Sequence, residues 1–543
     1  IKKNQEIRQY EVRAEKLKEE AKLIFAQVVA DDDLVAKLEL VDSVRKLGLA
    51  SFFEDEIKEG LDHVVSFAIG KPSSHMKHSL HFCALSFRLL RQHGYHVSQV
   101  QDIFSEFVDK PTRSFMESKC CGDTLGLVEL FEASHLGLEH EDIMEEANRF
   151  SARILKSSYP SLLLHHDKDL AECVAHALEL PIHWRVQWFD VKWHIKVHEK
   201  RKKVDRALID LAKVNFNVVQ SALQKDLRQI ARWWKDLGLI ERLDFTRDRI
   251  VESFLCSVGL AVEPEFSSFR IHLTKIIIMI LILDDVYDVY GSIEELKHFT
   301  AAIEKRNARK VDKLPKPMKL CFQALTDITE EISVEIQNEK GEDHVQPHLE
   351  RVWGDFCKAM LVEAKWCRGG RTPSLKEYLT NGSVSSSGTV IAVHSFFSVL
   401  NSNTTRGMKG LSEKNHHHLI HNVCLIIRLC NDIGTSKVEQ ERGEVASSSI
   451  ACYMREANTT EEKAKDHIKG LITKVWKKIN EQCFGRQPPM ITPGLFVDIT
   501  TNMARVAHNL YQHGDGFGGQ DHKHHHKKQI LSLLVHPLKL ESS

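Results

Sequence analysis

The sequence predicts an all-α protein with two helical domains. Only 27 glycines and 13 prolines occur among 543 residues, and so few breakers favour long helices over strands and turns. Apolar residues recur at helical spacing through most of the chain, whereas no alternating segments joined by hairpin-type turns are visible. A chain of this length exceeds the usual size of one hydrophobic core, so at least two domains are expected.

Amphipathic helices account for the N-terminal half. Apolar residues fall on one face between charged residues, as in the segment 11–30. The stretch 190–203 is aromatic and then strongly basic, which is typical of an inter-domain connection. We therefore place the domain boundary between residues 205 and 206. The helices predicted in this half are 11–30, 34–47, 80–90, 170–178 and 204–223.

The C-terminal half has the same helical periodicity. The Gly- and His-rich stretch 513–528 is predicted to be a loop, followed by a last helix over 529–535. The other helices predicted in this half are 251–260, 269–289, 293–303, 318–335, 349–366, 417–429 and 461–480.

Composition excludes several classes of function. The chain has 74 Lys and Arg against 75 Asp and Glu, for a net charge of -1, so it lacks the basic footprint of a nucleic-acid-binding protein. The apolar run 276–283 is far shorter than the roughly 20 residues that span a bilayer, and no membrane span is expected. Twelve cysteines without a Cys-x-x-Cys pair indicate free thiols in a reducing compartment.

The strongest functional signal is the sequence Ile276-Ile-Ile-Met-Ile-Leu-Ile-Leu-Asp-Asp-Val-Tyr-Asp-Val-Tyr290. Asp284 and Asp288 are four residues apart, so on a helix they share a face, and Asp285 adds a third charge. Burying such charges is costly unless a cation neutralises them. Mg²⁺ is the usual cation for hard carboxylate oxygens that also meets phosphate. The segment therefore predicts a metal-dependent phosphate site at the mouth of an apolar cavity.

A second polar set follows the apolar segment 423–427. Asn431, Thr435 and Glu439 are spaced four and four, which aligns an amide, a hydroxyl and a carboxylate over two helical turns. Three such oxygen donors can chelate one Mg²⁺, with water or phosphate at the other positions. This spacing often arises by chance, but together with the aspartate set it is specific.

Arginines flank both acidic sets. Arg247 and Arg249 lie upstream of the aspartates, and Arg428 lies one turn before Asn431. Arginine is a strong planar donor to phosphate oxygens, although Arg247-Asp-Arg249 alone would suit a surface salt-bridge cluster. Two facing acidic sets with guanidinium groups around the gap suit a diphosphate held by several Mg²⁺ ions.

The pair Asp284-Asp-Val-Tyr-Asp288 and Asn431-Asp-x-x-Thr435-x-x-x-Glu439 resembles the two metal-binding motifs of plant class I terpene synthases. The resemblance implies a catalytic class I terpenoid synthase bundle over residues 206–543 and an N-terminal α-barrel, without chemistry of its own, over residues 1–205. Further segments that resemble this family are Phe87-Arg-Leu-Leu-Arg-Gln-His-Gly-Tyr95, Leu178-Glu-Leu-Pro-Ile-His-Trp184, Arg232-Trp-Trp234, Glu363-Ala-Lys-Trp366 and Tyr511-Gln-His-Gly-Asp515-Gly.

The resemblance implies a role for each matching residue. Asp284 and Asp288 would bind Mg²⁺ from one helix, and Asn431, Thr435 and Glu439 would bind it from the facing helix. Asp284, Asp288 and Asn431 would also contribute to substrate binding. Mn²⁺ is a possible substitute for Mg²⁺.

The remaining roles concern the diphosphate and the closing of the site. By the same resemblance, Arg247, Arg249 and Arg428 would grip the diphosphate. Tyr511 and Asp515 belong to a segment resembling the family's closing loop, which would exclude water before ionisation. Asp285 would support the metal ligands, and Ser385-Ser-Ser-Gly388 resembles the break in a cavity helix.

The product prediction depends on Cys256. Many cyclising relatives have a Trp there, whose aromatic face can stabilise carbocations. Cys256 and the segment Asn381-Gly-Ser-Val-Ser-Ser-Ser387 most resemble the subgroup that makes acyclic linalool and nerolidol. We therefore expect geranyl diphosphate to give the acyclic alcohol linalool. Farnesyl diphosphate to nerolidol is the alternative, and deprotonation of the same cation would give myrcene or ocimene.

Two other classes of protein are less well supported. A chain-elongating prenyltransferase has two aspartate-rich motifs, whereas the second set here is Asn, Thr and Glu. A non-catalytic helical scaffold would need neither set after an apolar helix.

The expected partner is a small-molecule prenyl diphosphate, and the protein is expected to be a monomer or a weak homodimer. No signal peptide is visible, and the chain begins at Ile1 rather than Met, so we expect that an upstream segment was removed or left out. Geranyl diphosphate use would favour the plastid and farnesyl diphosphate use the cytosol.

Overall fold

The computed structural model confirms the all-α prediction. Helices form throughout the part of the chain that it describes, where the only extended pairing is an isolated antiparallel bridge between Val108 and Phe115. The described residues are 2–31, 33–68, 79–95, 97, 103–164, 167–201, 205–305, 311–341, 345–399, 414–441, 448–485, 494–517 and 523–540.

The chain forms two compact units. Unit 1 comprises residues 1–220, 480–487 and 536–543, and unit 2 comprises residues 221–479 and 488–535. The first division between the two units falls inside the helix Arg206–Leu237. The boundary expected at 205/206, which coincides with the start of that helix, stays a prediction.

Helices occupy most of the chain before residue 238. Asp33 begins the second of them, because its carboxylate accepts the backbone N–H groups of Val35 and Ala36, both at 3.0 Å. In order the helices are α1 (Lys2–Ala30), α2 (Leu34–Lys46), α3 (Glu54–Ala68), α4 (Leu80–Gln92), α5 (Glu117–Cys120), α6 (Thr124–Ser134), α7 (Asp142–Leu164), α8 (Lys168–Glu179), α9 (Gln187–Glu199) and α10 (Arg206–Leu237).

Longer helices follow in the rest of the chain. Ser374 and Glu377 form a reciprocal capping box at the start of the helix Leu375–Ser385. Gly341 ends the helix Lys316–Lys340 with a left-handed φ of 70°. In order they are α11 (Ile250–Leu260), α12 (Ser267–Asp285), α13 (Ile293–Lys305), α14 (Lys316–Lys340), α15 (Val345–Arg368), α16 (Leu375–Ser385), α17 (Gly388–Val399), α18 (Lys414–Glu441), α19 (Ser449–Ala457), α20 (Glu461–Phe484), α21 (Gly494–Tyr511) and α22 (Lys523–Ile530).

The end of the chain differs from the sequence prediction. The stretch 513–528 was expected to be a loop, but α22 begins at Lys523 within it and leads into a π-helical turn, Leu531–Val535. The prediction was wrong there because histidine and lysine are acceptable helix residues. The prediction of a loop came from the many histidines and glycines in the segment, and the histidines are compatible with the helix that forms.

The apolar helix α12 is the core of unit 2. Every side chain from Ile276 to Leu283 is buried, and α12 packs against α11, α14 and α17. Around the same core, α18 packs against α16, α17 and α21. The elements that carry the predicted site residues therefore belong to one packed bundle.

One described segment, Pro264–Tyr290, is long and apolar enough to cross a membrane, and 78% of it is buried inside the protein. A helix at the centre of a folded domain has the same properties. Its burial within unit 2 accounts for its composition.

Candidate active site

The aspartate motif lies where a buried helix changes its pitch. Helix α12 is α-helical up to Asp285 and continues as a π-helical turn, Val286–Tyr290. The N–H of Gly291 closes the turn by donating to the Val286 carbonyl at 2.9 Å, and the Arg368 guanidinium donates to the carbonyls of Tyr287 and Gly291. Single π-turns often occur at functional sites. Here the turn places Asp288 outside the regular α-helical register.

Arg247 connects the first two aspartates. Its Nη2 donates to Oδ2 of Asp284 at 2.7 Å, and its backbone N–H donates to Oδ2 of Asp285 at 3.0 Å. Its Nε also lies 2.8 Å from Oδ1 of Asp285. Burial raises the pKa of Asp285, while the neighbouring Arg247 opposes that rise. Asp285 therefore holds Arg247 in place, and its expected support of the metal ligands stays a prediction.

Asp288 lies among other carboxylates. Its side chain is partly open to solvent, yet neighbouring protein atoms desolvate the carboxyl group and raise its pKa well above the usual value. The charges of Asp284 and Glu363 raise this pKa further, and Arg428 and Arg247 oppose them. A bound divalent cation would relieve the repulsion, and carboxylate oxygens are the donors that Mg²⁺ prefers. The residues present therefore fit a magnesium site.

The second motif lies on one side of α18. Thr435 Oγ1 donates to the Asn431 carbonyl at 3.0 Å, which leaves its oxygen lone pairs for a ligand. Glu439 lies within the same helix, but its side chain is outside the described part of the structure. Its place beside Thr435 follows from the helical spacing alone.

Arg428 connects the second motif to α15 and α16. Its Nη2 donates to Ser385 Oγ at 3.1 Å and lies 3.6 Å from Oε2 of Glu363, and its Nη1 donates to Oδ1 of Asn431 at 3.4 Å. Gly382 allows this approach, because a Cβ there would lie 3.1 Å from Arg428 Cγ. The buried Nε of Arg428 has no hydrogen-bond partner among the described residues. A buried guanidinium N–H without an acceptor fits an anion such as a diphosphate.

The structure adds residues that the sequence did not assign. Glu363 faces both Asp288 and Arg428, and Asp432 accepts the Tyr378 hydroxyl and the Ser449 N–H, both at 2.9 Å. The position of Asp432 within the second motif was a usable signal. No local pattern distinguished Glu363 from other acids in its helix, although the segment Glu363-Ala-Lys-Trp366 resembles the family.

The predicted closing segment contacts the second motif and an arginine. Asn431 hydrogen-bonds the Tyr511 hydroxyl, and burial raises the pKa of Tyr511 well above its usual value. Asp515 accepts the N–H of Phe517 at 2.9 Å, and Arg249 Nε donates to the carbonyl of Phe517 at 2.8 Å. Arg249 is thus bound to the closing segment in this state. Its expected role as a diphosphate donor stays a prediction.

Cys256 and the break between α16 and α17 belong to the same unit. Cys256 is buried on α11, and burial raises the pKa of its thiol to about 12. Ser387 has a left-handed φ of 62° between the two helices. A Cβ on Gly388 would lie 2.6 Å from Cys424 Sγ, so only glycine allows α17 to approach α18 this closely. The helix break expected from the sequence is present.

Comparison with known proteins shows to which family the chain belongs. The profile "Terpene synthase, N-terminal domain" matches residues 1–178, and "Terpene synthase family, metal binding domain" matches residues 235–478. An alpha-farnesene synthase of Ricinus communis is 53% identical over 98% of this chain and 91% of its own.

The chain belongs to the plant terpene synthase family.

Other relatives of this synthase are named for several different products. An (E,E)-alpha-farnesene synthase of Malus domestica is 51% identical, over 98% of this chain and 89% of its own. A chloroplastic alpha-thujene synthase of Litsea cubeba is 41% identical, over 98% and 87%. The crystal structure of isoprene synthase from grey poplar leaves (Populus x canescens), in complex with three Mg²⁺ ions and dimethylallyl-S-thiolodiphosphate, superposes with a TM-score of 0.88 at 38% identity, covering 98% and 97% of the two chains.

These findings confirm several predictions at once. The fold class is that of the terpene synthases, and the synthase is a lyase that acts on a prenyl diphosphate. The metal-binding family domain confirms a metal cofactor, and the Mg²⁺ ions of the isoprene synthase agree with its predicted identity. The named relatives above half identity are farnesene synthases, whereas linalool and nerolidol synthases were expected to be the most similar subgroup.

Proposed function

We propose that this synthase converts farnesyl diphosphate into an acyclic sesquiterpene olefin of the farnesene type. The observation that supports the proposal is similarity over nearly the whole chain. Two farnesene synthases are 53% and 51% identical to it, whereas the alpha-thujene synthase is 41% identical. A gap of this size over the same length favours a C15 substrate over a C10 one.

The reaction begins with loss of the diphosphate. The carbon–oxygen bond breaks, its electron pair leaves with the diphosphate, and an allylic cation is left. Arg428, which donates to Asn431 of the second motif, also has a buried Nε–H without an acceptor. Arg247 donates to Asp284 of the aspartate motif. When bound to the two acidic motifs, Mg²⁺ neutralises the diphosphate and acts as a Lewis acid on it. We assign Asp284, Asp288, Asn431, Thr435 and Glu439 as its ligands.

The cation then has to lose a proton before it cyclises or meets water. Tyr511 and the segment up to Phe517 contact Asn431 and Arg249, so they can separate the cavity from water. Cys256 is small and not aromatic, so α11 offers no ring at that position to stabilise a cyclised cation. Early deprotonation yields a linear olefin.

The sequence alone favoured geranyl diphosphate and linalool. The cation chemistry is shared by both substrates, so geranyl diphosphate is the second candidate, with an acyclic C10 alcohol or olefin as product. Capture of the C15 cation by water would give nerolidol as a side product. With farnesyl diphosphate as substrate, we propose a cytosolic site of action for a monomer or weak homodimer.

Product analysis tests the proposal. The purified protein is incubated with Mg²⁺ and either farnesyl or geranyl diphosphate, and volatiles are identified by gas chromatography and mass spectrometry. We expect a higher kcat/KM with farnesyl diphosphate and a farnesene as the main product. A preference for geranyl diphosphate, or a mainly cyclic product, would contradict the proposal. Replacing Mg²⁺ by Mn²⁺ should retain part of the activity.

A further inference from the structure

Unit 1 holds a group of metal-ligating side chains that terpene synthesis does not use. His176 lies on α8, and Asp190 and His194 lie four residues apart on α9, one turn above the other on one face. Their donor atoms all lie within 4.8 Å of one another. The side chains of His176, Asp190 and His194 are 15%, 13% and 6% exposed, so the group is largely shielded from bulk water.

We propose that His176, Asp190 and His194 bind one Zn²⁺ ion in unit 1. Zinc takes imidazole nitrogen and carboxylate oxygen at about 2.0–2.2 Å, so tetrahedral ligands lie roughly 3.3–3.6 Å apart. Nε2 of His176 and Nε2 of His194 lie 2.8 Å and 3.5 Å from the same oxygen of Asp190, Oδ2. To enclose the ion, the shorter contact would open, and the two imidazole nitrogens, which lie within 4.8 Å of each other, would settle at the tetrahedral spacing. A water molecule would complete the coordination.

The ligand chemistry selects this ion over the cofactor of unit 2. Two imidazoles and one carboxylate suit Zn²⁺ and its first-row neighbours, whereas Mg²⁺ prefers oxygen donors only. The two histidine rings lie at a centroid distance of 6.1 Å with planes 83° apart, and both bring Nε2 towards the same oxygen of Asp190. Two imidazoles from different helices that converge on one carboxylate supply three donors around one point, as a tetrahedral ion requires.

Surrounding residues hold the ligands in place. The ring of Trp193 stacks on that of His176 at 3.6 Å. Arg185 donates from Nε to the Leu180 carbonyl and from Nη2 to the His176 carbonyl, both at 2.7 Å, and its Nη1 lies 3.7 Å from Oδ1 of Asp190. Arg185 therefore faces the oxygen that points away from the histidines. Outer contacts of this kind orient ligands and raise metal affinity.

The consequence is a clamp between two consecutive helices. The ion would join α8 to α9 across the connection 180–186, which contains the short 3₁₀ turn Ile182–Trp184. A metal that binds the folded state alone stabilises it by an amount that rises with the logarithm of the free metal concentration once this exceeds the dissociation constant. The effect expected is therefore on the stability of unit 1 and is independent of the lyase reaction.

Cobalt substitution tests the proposal on the full chain. The metal-free protein is titrated with Co²⁺ in excess Mg²⁺, which occupies the oxygen-rich sites of unit 2. We expect one equivalent of the intense visible absorption of tetrahedral Co²⁺, lost in both His176→Gln and His194→Gln. His140→Gln is the matched control, because His140 is an exposed histidine of the same unit, and it should keep the signal. Zinc should raise the unfolding temperature of the wild type and of the control only.

A second measurement does not depend on the variants being folded. Wild-type crystals grown with Zn²⁺ should show anomalous density at the zinc edge between His176, Asp190 and His194. Zinc density elsewhere with none at this position would overturn the proposal, as would a Co²⁺ spectrum that both variants retain. Either outcome would leave the group as a hydrogen-bond network that joins α8 to α9.

Discussion

The acidic residues of the site destabilise the charged form of Asp288, which a bound cation would stabilise. Desolvation, Asp284 and Glu363 all raise the pKa of Asp288. Arg247 compensates only part of this charge, because it is engaged with Asp284 and Asp285. Among the described residues of unit 2, the acids are thus arranged for a ligand that carries positive charge.

Replacing Asp284 by Ala should abolish turnover without unfolding the protein. The side chain of Asp284 is 38% exposed, so its loss leaves no buried cavity. We expect kcat/KM to fall by roughly 100-fold or more, the loss of several kcal/mol of transition-state stabilisation. Steady-state kinetics and circular dichroism measure the two effects separately.

Asp355→Ala is the matched control, because Asp355 is a comparably exposed acid on α15 with surface partners. It should keep full activity. Wild-type turnover in Asp284→Ala would refute the metal assignment.

Cys256 is the residue on which the acyclic product depends. In the variant Cys256→Trp, an aromatic face becomes available to a cyclising cation, and such contacts are worth about 0.5–2 kcal/mol. We expect cyclic products to rise several-fold relative to linear ones in the volatile profile. Cys256→Leu adds volume without a π-system and should lower total turnover while its products stay linear. Equal cyclisation in both variants would show that volume alone decides.

At the scale of elements, the close packing of α18 against α21 joins the second motif to the closing segment. Gly434 lies between Asn431 and Thr435, and a Cβ there would lie 3.0 Å from both the Cβ and the carbonyl oxygen of Tyr511 and 3.3 Å from the Gly514 carbonyl oxygen. Backbone atoms cannot yield as a flexible side chain can. The glycine is therefore needed for the end of α21 to approach the motif.

Gly434→Ala should displace the closing segment by a few tenths of an ångström and admit water. We expect lower turnover and a higher ratio of nerolidol to farnesene, measured by gas chromatography. The same change at Gly470 in α20 meets no atom within 4 Å. Gly470→Ala should leave the products unchanged and stabilise its helix by about 0.5–1 kcal/mol. An unchanged product ratio in Gly434→Ala would argue against a water-excluding role for this contact.

At the scale of the whole molecule, the stability of unit 1 depends on a buried carboxyl group that has no assigned role in the lyase reaction. Glu132 accepts the backbone N–H of Ile182 at 2.7 Å, and burial raises its pKa to about 7 from the usual 4.5. The folded state therefore holds this proton more tightly than the unfolded state. The stability that Glu132 contributes is fully present below about pH 4.5 and is lost as the pH rises through 7.

Glu132→Gln should remove that part of the pH dependence while keeping an acceptor for Ile182. We expect the variant to gain stability relative to the wild type between pH 5 and pH 8, at about 1.4 kcal/mol for each unit of pKa difference. Unfolding temperatures of both proteins across this range measure the gain. Glu139→Gln, at an exposed position of the same unit, should show no such trend. A parallel response of wild type and Glu132→Gln would contradict the prediction.

Helices and motifs could be predicted from the sequence because both depend on residues close together along the chain. The apolar run before Asp284 and the spacing of Asn431 and Thr435 depend on neighbours within a few turns, which periodicity reports directly. The π-turn at Val286–Tyr290 was not predictable, because it depends on Arg368, which donates to its carbonyls from a helix about 80 residues away. Glu363 and the group around Asp190 were missed because their partners are brought together only by packing.

By itself, the sequence determined the all-α class, the terpene synthase family and the two acidic motifs, because each is recognised from residues a few positions apart. Only the tertiary structure decided that Asp285 holds Arg247, that Arg249 binds the closing segment, and that Asp288 faces Glu363. These contacts join residues from different helices, and their energies depend on distance and burial. Neither quantity exists until the helices have packed.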